Sequence, residues 1–125
     1  MLMIYGIKNC STMKKAFDFF DQAAVSYAFF DYKKQTVDPQ LLKKWIDQLG
    51  LDVVMNTRGT TWRKLTDEQR VQAQHMDGAI NLLQAQPSMI KRPLITDATG
   101  TVRLVGFNVA AYQALLTELE SSSKN

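Results

Sequence analysis

Hydrophobic residues follow two different patterns along the chain, and together these predict strands and helices in alternation. An uninterrupted apolar run begins at Leu2, which is typical of a strand buried on both faces. Leu94, Ile95 and Thr96 predict a second strand. Residues 25–32 are rich in aromatic and β-branched side chains and predict another strand. A turn at residues 97–100 leads into residues 102–105, which predict an antiparallel partner for the strand that begins at Leu94.

A helix is expected directly after the first strand. Gly6 ends that strand, and Ser11 or Thr12 supplies a side-chain oxygen that can cap the free N–H groups of the helix. From Phe17 onward, apolar residues recur three and four positions apart, as they do on one face of an amphipathic helix. Because strand, helix and strand follow one another, the first two strands are predicted to be parallel neighbours in one sheet.

The middle of the chain, from about residue 37 to residue 87, is predicted to be a helical insertion. Asp38 is the expected cap of its first helix, and Gly50 ends that helix because glycine readily adopts a positive φ. Thr66 is typical of another helix start, and apolar residues at helical spacing predict a further helix over residues 76–83.

The C-terminal part of the chain is predicted to end in one more helix. Asn108 is its expected cap, and the helix is expected to run to about residue 119. Its predicted buried face includes Val109 and Tyr112. The polar residues 121–125 are expected to fray.

The length and hydrophobic content of the chain predict a single domain over residues 1–125. With 125 residues, of which 46% are hydrophobic, the chain can bury a core of its own. Residues 1–36 and 88–120 would form the part that holds the sheet. The order β-α-β, helical insertion, β-β-α predicts an α/β protein of thioredoxin-like, or glutaredoxin-like, fold, with a mixed four-stranded sheet and a helical insertion.

Cysteine usage, charge and hydropathy exclude several classes of function. A single cysteine and a single histidine cannot form an internal disulfide or a structural zinc site. The net charge of +3 favours small anions or acidic partners, but the basic residues are scattered, so no direct nucleic-acid binding is expected. No apolar run has membrane-spanning length, and there is no basic leader with a cleavage site. We therefore expect a cytoplasmic protein that does not bind membranes.

Cys10 is the candidate for chemistry, since it lies where the first strand passes into the first helix. The free N–H groups and the positive end of the helix dipole favour a thiolate there, and Lys8 and Lys14 add positive charge. A lone cysteine is more often a small buried hydrophobe. Cys10 instead follows Asn9 in a polar loop, at a place where α/β folds often have their active sites. This setting favours a reactive sulfur.

A set of short motifs spread over nearly the whole chain is similar to a known family. In chain order they are Tyr5-Gly6-Ile7-Lys8-Asn9-Cys10, Lys14-Lys15-Ala16, Asn56-Thr57-Arg58-Gly59, Trp62, Lys64-Leu65, Lys91-Arg92-Pro93-Leu94-Ile95 and Val105-Gly106-Phe107. In these motifs, in their order and in their approximate spacing, the chain resembles the ArsC/Spx family. The resemblance is closest to the YffB-like branch of small bacterial proteins related to arsenate reductase.

The resemblance implies roles for four residues. Cys10 matches the family's nucleophile, and Arg58 and Arg92 match two arginines that bind the oxyanion and help to keep the sulfur ionised. A guanidinium suits these roles because it is always charged and binds a carboxylate or an oxyanion through two parallel hydrogen bonds. Pro93 matches the family's cis-proline beside the cysteine. Without the resemblance, the arginines would be read as solvated surface charges and the Arg92–Pro93 bond as trans.

The chain also departs from the family pattern at several positions. Gly6 stands where arsenate reductases have a histidine, and Gly106 lies in the motif where they have a third arginine. Arg103 is close in sequence to that missing arginine, but strand alternation leaves its direction open. Met13 stands where Spx-type regulators have a second cysteine, which excludes an internal disulfide switch. His75 is interpreted as a surface residue.

The leading hypothesis is a monothiol reductase that depends on glutathione. The Cys10 thiolate would attack a disulfide or another electrophilic, anionic substrate, and external glutathione would resolve the adduct because the chain has no second cysteine. No bound cofactor is expected, and glutathione is the expected co-substrate. Thr12 would hydrogen-bond the sulfur. The residues expected to shape the loop, bind the anion or lower the pKa of Cys10 are Asn9, Arg58, Arg92, Lys8 and Lys14.

Two alternatives remain open from the sequence. The chain could be a binding module without chemistry, because Spx-like proteins act by docking on RNA polymerase. Such a module should tolerate loss of the Cys10 thiol, whereas an enzyme should not. Weak arsenate reduction is the third hypothesis, and the loss of one of three positive contacts argues against it, since hydrogen bonds to charged groups contribute about 1.5–3 kcal/mol each.

Overall fold

The computed structural model describes residues 1–123, and within them the chain forms a mixed four-stranded sheet with helices. The strands are β1 (Leu2–Gly6), β2 (Tyr27–Asp31), β3 (Leu94–Thr96) and β4 (Val102–Val105), and their order in the sheet is β2-β1-β3-β4. The helices are α1 (Ser11–Gln22), α2 (Pro39–Leu49), α3 (Leu51–Val54), α4 (Thr60–Arg63), α5 (Asp67–Gln72), α6 (Met76–Ala85) and α7 (Val109–Ser123), with a 3-10 helix at Pro87–Met89.

The described residues group into two compact units. Residues 1–29 and the chain from Arg92 onward form the first unit, and residues 30–91 form the second. That the whole chain is one domain, with sheet-bearing parts at 1–36 and 88–120, stays a prediction. The first unit contains Cys10 and Arg92, and the second contains Arg58.

The core of the first unit lies between one face of the sheet and the two helices α1 and α7. Ile4 of β1 is paired with Ile95 of β3 in an antiparallel register, and both side chains are fully buried. Phe20 of α1 stacks on Tyr112 of α7, with ring centroids 5.4 Å apart. The buried residues of this core are Leu2, Ile4, Met13, Ala16, Phe20, Ile95, Leu104, Tyr112 and Leu115. Cys10 is half-buried and packs against this core.

The second unit is helical, and backbone hydrogen bonds join residues 54–56 to residues 89–91. Met55 and Ile90 form an isolated antiparallel bridge. Beside it, the N–H of Asn56 donates to the carbonyl of Met89 at 2.7 Å, and the N–H of Lys91 donates to the carbonyl of Val54 at 2.7 Å. These contacts fix the start of the loop that contains Arg58.

Three helix ends in the second unit lie where local signals predict them. Asp38 accepts a hydrogen bond from the N–H of Gln40 at 2.7 Å and caps α2, and Gly50 ends that helix with φ +90°. Thr66 and Gln69 form a reciprocal capping box at the start of α5. These capping predictions are confirmed, because each depends on residues only two or three positions apart.

The strand predicted over residues 25–32 is shorter than predicted and spans Tyr27–Asp31. Two short helices of the insertion have no counterpart among the predicted elements. Leu51–Val54 follows directly after Gly50, since Gly50 ends one helix and allows the chain to begin another, and Thr60–Arg63 begins after Gly59.

The last helix begins where it is predicted, but it differs from its prediction in one buried residue and in where it ends. Asn108 accepts a hydrogen bond from the N–H of Ala111 at 2.9 Å, which confirms the predicted cap. Val109, predicted to be buried, is 51% exposed, because it is the first residue of α7 and the core begins one turn later at Tyr112. No glycine or proline follows residue 119, and the helix continues to Ser123, past its predicted end at about residue 119. That the tail frays stays a prediction. Residues 124–125 of the predicted tail lie outside the described residues.

Candidate functional site

Cys10 itself occupies the N-cap position of α1. Its backbone is extended, with φ −140° and ψ 129°, and its carbonyl accepts the first helical hydrogen bond from the N–H of Lys14 at 3.0 Å. The prediction that Ser11 or Thr12 is the cap is therefore wrong, since Ser11 is already the first helical residue. A residue at the N-cap points its side chain toward the second and third backbone N–H groups of the helix. The Cys10 side chain makes no capping hydrogen bond, so its sulfur lies near these N–H groups without capping the helix as a serine or aspartate oxygen does.

The pKa of the Cys10 thiol is lower than its ordinary value. Burial is the largest single influence and raises this pKa, but the other contributions together outweigh it. In decreasing order, these are the backbone N–H of Met13, the backbone N–H of Thr12 and the Arg92 guanidinium, each of which stabilises the thiolate. A cysteine with a lowered pKa and partial exposure is set up to react as a nucleophile.

Arg92 is the predicted arginine that the structure brings to Cys10. It is half-buried and lies two residues before the start of β3. The Arg92–Pro93 peptide bond is cis, as the resemblance implied, and Pro93 is buried. The carbonyl of Pro93 accepts a hydrogen bond from the N–H of Gly106 at 2.8 Å. The role of Arg92 in binding a substrate stays a prediction.

The other predicted residues of the loop lie at the surface. Lys8 and Asn9 are exposed, and Thr12 is half-buried. Lys14 is also exposed and pairs with Asp18 on the same helix, with Nζ and Oδ2 3.1 Å apart. Thr12 acts on the sulfur through its backbone N–H, whereas a hydrogen bond from its side chain stays a prediction.

Arg58 lies in the loop of the second unit between α3 and α4. Its backbone N–H donates to Oδ1 of Asn56 at 3.0 Å, which closes a tight turn. The side chain of Arg58 is exposed and lines a hollow of about 340 Å³, to which Lys91 and Asn56 also contribute. An exposed arginine beside a lysine can bind an anion, but that Arg58 acts together with Cys10 stays a prediction.

Met13 is a part of the site that the sequence did not reveal. Its side chain is fully buried and lies against Gly6. A Cβ atom placed on Gly6 would be 2.3 Å from Sδ of Met13 and 2.6 Å from its Cε, so residue 6 has no room for a side chain while Met13 keeps this position. The signal available in the sequence was a glycine at the end of β1 followed by an apolar residue in the first turn of α1.

Arg103 is directed to partners other than Cys10. Its Nη1 donates to Oδ2 of Asp97 at 3.3 Å, and its Nη2 contacts the carboxylate of Glu118. Strand alternation left the direction of the Arg103 side chain open. The structure shows that it pairs with carboxylates of the β3–β4 turn and of α7. It does not substitute for the third arginine of the arsenate reductases.

Other features of residues 1–123 limit what else the chain could bind. His75 is exposed at the start of α6, as expected for a surface residue. Among the described residues, no group of three or more histidine, cysteine or acidic side chains is arranged to hold a metal ion. None of the described helices combines the length and the apolar character needed to cross a membrane.

Comparison with known proteins agrees with this architecture. A family model described as the ArsC family matches residues 5–115. A solved structure of a protein named YffB is 44% identical, with a TM-score of 0.84 over 93% of this chain and 99% of that chain. An arsenate reductase (ArsC) related protein from Brucella melitensis is 40% identical, with a TM-score of 0.69 over 90% of this chain and 92% of that chain. A protein of Haemophilus influenzae is 39% identical over 91% of this chain and 97% of its own length.

The family match covers most of the chain and includes Cys10, Arg58 and Arg92. The similar structures share the fold of a mixed sheet with helices around it, which confirms the predicted thioredoxin-like fold class. The chain therefore belongs to the ArsC family.

Proposed function

We propose that the chain is a monothiol reductase that uses external glutathione to reduce disulfides or related electrophilic substrates. The observation that supports this most directly is the lowered pKa of Cys10 at the N-cap of α1. The chain contains no second cysteine, so an adduct on Cys10 has to be resolved by a thiol from solution. Glutathione is the abundant thiol of the cytoplasm, where we infer that the protein acts.

The reaction on a disulfide R–S–S–R′ consists of two exchanges at Cys10. The Cys10 thiolate attacks one sulfur, the R–S–S–R′ bond breaks, and R′–S⁻ leaves and takes up a proton from solvent. A glutathione thiolate then attacks the R sulfur of the adduct, which regenerates the Cys10 thiolate and releases R–S–S–G. A second glutathione reduces this product to R–SH and forms oxidised glutathione. Each disulfide is thus reduced by two electrons, which two glutathione molecules supply.

Arg92 and the first turn of α1 have separate tasks in this reaction. The N–H groups of Thr12 and Met13 stabilise the thiolate both before attack and when it departs from the adduct. Arg92 adds a positive charge beside the sulfur, where a glutathione carboxylate or an anionic substrate would bind. Lys8, Lys14 and Asn9 are proposed to contribute further anion contacts near Cys10. Arg58 is proposed to bind an anion as well.

Arsenate is not the substrate that we propose. Arg103 is paired with Asp97 and Glu118, and Met13 fills the space beside Gly6 in which a histidine would need to fit. Two of the family's positive groups are thus without an equivalent at Cys10. A disulfide needs no oxyanion cage, since its sulfur atoms are neutral and its leaving group is a thiolate.

The test is the reaction of the purified protein with oxidised glutathione, followed by mass spectrometry of the intact chain. We expect one glutathione adduct, which reduced glutathione then removes, and we expect turnover of a glutathionylated peptide. Cys10→Ser is the matched control, because it keeps the size of the side chain and removes the nucleophile. Full turnover by Cys10→Ser, or a wild-type thiol that forms no adduct, would contradict the proposal and favour a binding module without chemistry.

A further inference from the structure

The contact between Met13 and Gly6 lies one turn of helix from the reacting sulfur. Met13 is the third residue of α1, after Ser11 and Thr12, and its backbone N–H acts on the Cys10 sulfur. Its side chain belongs to the core of the first unit, where it is fully buried. The backbone donor and the buried anchor therefore belong to the same residue.

The space that receives Met13 exists because residue 6 is a glycine. Sδ and Cε of Met13 lie 2.3 Å and 2.6 Å from the position that a Cβ on Gly6 would take. Real Cβ atoms essentially never approach a neighbour so closely, so any larger residue at position 6 would displace the end of the methionine side chain. Gly6 is itself buried at the end of β1, so the sheet fixes the position of this notch.

We propose that Met13 is a positioning residue for Cys10, because its side chain, seated against Gly6, fixes the first turn of α1, whose N–H groups lie beside the sulfur. This inference rests on the proposed function in taking Cys10 as the nucleophile. It goes beyond that function in assigning to Met13 and Gly6 the task of holding the thiolate donors. Neither residue touches the substrate in this assignment.

The charged groups around Cys10 do not depend on the contact between Met13 and Gly6. Arg92 acts on the sulfur directly, and Lys14 is paired with Asp18. Lys8 is exposed in the preceding loop. None of these charges is altered by a change at Met13. A shift in the Cys10 pKa after such a change would therefore report the position of the helical N–H groups.

Met13→Ala is the first variant to test, with alkylation of Cys10 by iodoacetamide measured as a function of pH. We expect the pKa of Cys10 to rise, which lowers the alkylation rate at neutral pH by about threefold to tenfold, since a rise of one unit removes about nine-tenths of the thiolate. The limiting rate at high pH should stay unchanged, because the sulfur remains accessible. Met13→Leu preserves volume and should restore most of the wild-type profile.

Gly6→Ala is the second variant to test, because it keeps Met13 and removes only the space beside residue 6 that the Met13 side chain occupies. The added Cβ would also lie 3.5 Å from Cβ of Arg92, which is an ordinary contact. Combining the two changes separates these effects. If Gly6→Ala acts through Met13, it should raise the Cys10 pKa in the wild-type background and add little in the Met13→Ala background. A shift of equal size in both backgrounds would mean that it acts through Arg92.

Phe20→Leu is the matched control for a general loss of stability. Phe20 is a fully buried residue of the same helix and the same core, but it lies two turns beyond Met13. We expect it to lower the melting temperature without moving the Cys10 pKa. The inference is overturned if folded Met13→Ala and Gly6→Ala both keep the wild-type pKa, or if Phe20→Leu raises it equally. If Met13→Ala does not fold, Gly6→Ala alone decides.

Failure of this inference is distinguishable from failure of the proposed function. A wild-type protein that forms no glutathione adduct would contradict the proposed function whatever the Met13 variants do. Unchanged thiol pKa values in the variants of a protein that does form the adduct would overturn only the role of Met13.

Discussion

Arg103 donates to Asp97 at the turn between β3 and β4, with Nη1 and Oδ2 3.3 Å apart. The same guanidinium also contacts Glu118 of α7, so that one side chain joins the strand, the turn and the last helix. These two contacts give the positive charge of Arg103 a structural role. It also separates this chain chemically from a reductase that uses three arginines at its cysteine.

Replacing Arg103 should therefore change stability and leave the chemistry of Cys10 unchanged. We expect Arg103→Ala to lower the free energy of unfolding by about 0.2–1 kcal/mol for each pair, because both pairs are partly exposed to solvent. Urea unfolding measures the loss, and alkylation against pH measures the Cys10 pKa. A raised Cys10 pKa in this variant would show that Arg103 does act on the sulfur.

Asp97 gives the stability of the protein a defined dependence on pH. The hydroxyl of Thr99 is the largest influence on this carboxylate and lowers its pKa, assisted by the N–H groups of Thr99 and Thr101 and by Arg103, against burial. Because the pKa in the folded state is depressed, the stabilisation is fully present above the unfolded value of about 3.9 and is lost as the pH falls through the folded pKa.

The contribution of Asp97 to the pH dependence of stability can be measured by thermal unfolding between about pH 6 and pH 2.5, a range that spans the ordinary pKa of aspartate. We expect the melting temperature of Asp97→Asn to fall less over this range than that of the wild type, although it should be lower at neutral pH. Asp52→Asn, at an exposed position in α3, is the control and should keep the wild-type slope. Equal slopes for all three proteins would contradict the assignment.

Tyr112 ties the last helix to the turn that follows β4. Its hydroxyl donates to the carbonyl of Gly106 at 2.5 Å, and burial raises the pKa of this hydroxyl above its ordinary value. Tyr112→Phe keeps the ring in the core and leaves the carbonyl without this donor, so we expect a loss of about 0.5–1.5 kcal/mol in the free energy of unfolding. Urea unfolding tests it, and a variant as stable as the wild type would show that solvent replaces the bond.

The parts of the fold that the sequence predicts well are those that local contacts determine. Asp38 caps α2 through an N–H two positions away, and Thr66 caps α5 through one three positions away. Such contacts form within a single turn of chain, so residue identity and spacing suffice to find them. The N-cap at Cys10 was not found in this way because cysteine is not among the usual capping residues.

The parts that could not be predicted depend on contacts between distant elements. The fit of Met13 against Gly6 requires the distance between a strand and a helix, which no periodic pattern contains. Strand alternation gives the face of Arg103 relative to its neighbours, but it does not say which face meets a carboxylate of α7. Val109 follows the apolar spacing of its helix and is exposed, because spacing does not say where the core ends.

Arg92 is the residue whose removal most directly tests the electrostatics of the site. Its guanidinium stabilises the Cys10 thiolate, so Arg92→Ala should raise the pKa of Cys10 and slow alkylation at neutral pH, while the limiting rate at high pH is retained. Arg92→Lys keeps the charge and loses the planar guanidinium, so its Cys10 pKa should lie between those of the wild type and Arg92→Ala. Added salt should reduce the difference only weakly, because Arg92 is half-buried.

Arg63→Ala is the matched control for this change. Arg63 is an exposed arginine of α4, and its removal lowers the net charge by the same amount. A Cys10 pKa that rises equally in both variants would mean that the sulfur responds to the total charge of the protein. A Cys10 pKa that rises in Arg92→Ala alone would assign the effect to the guanidinium beside the sulfur. An anionic substrate and the thiolate would then share that one positive group.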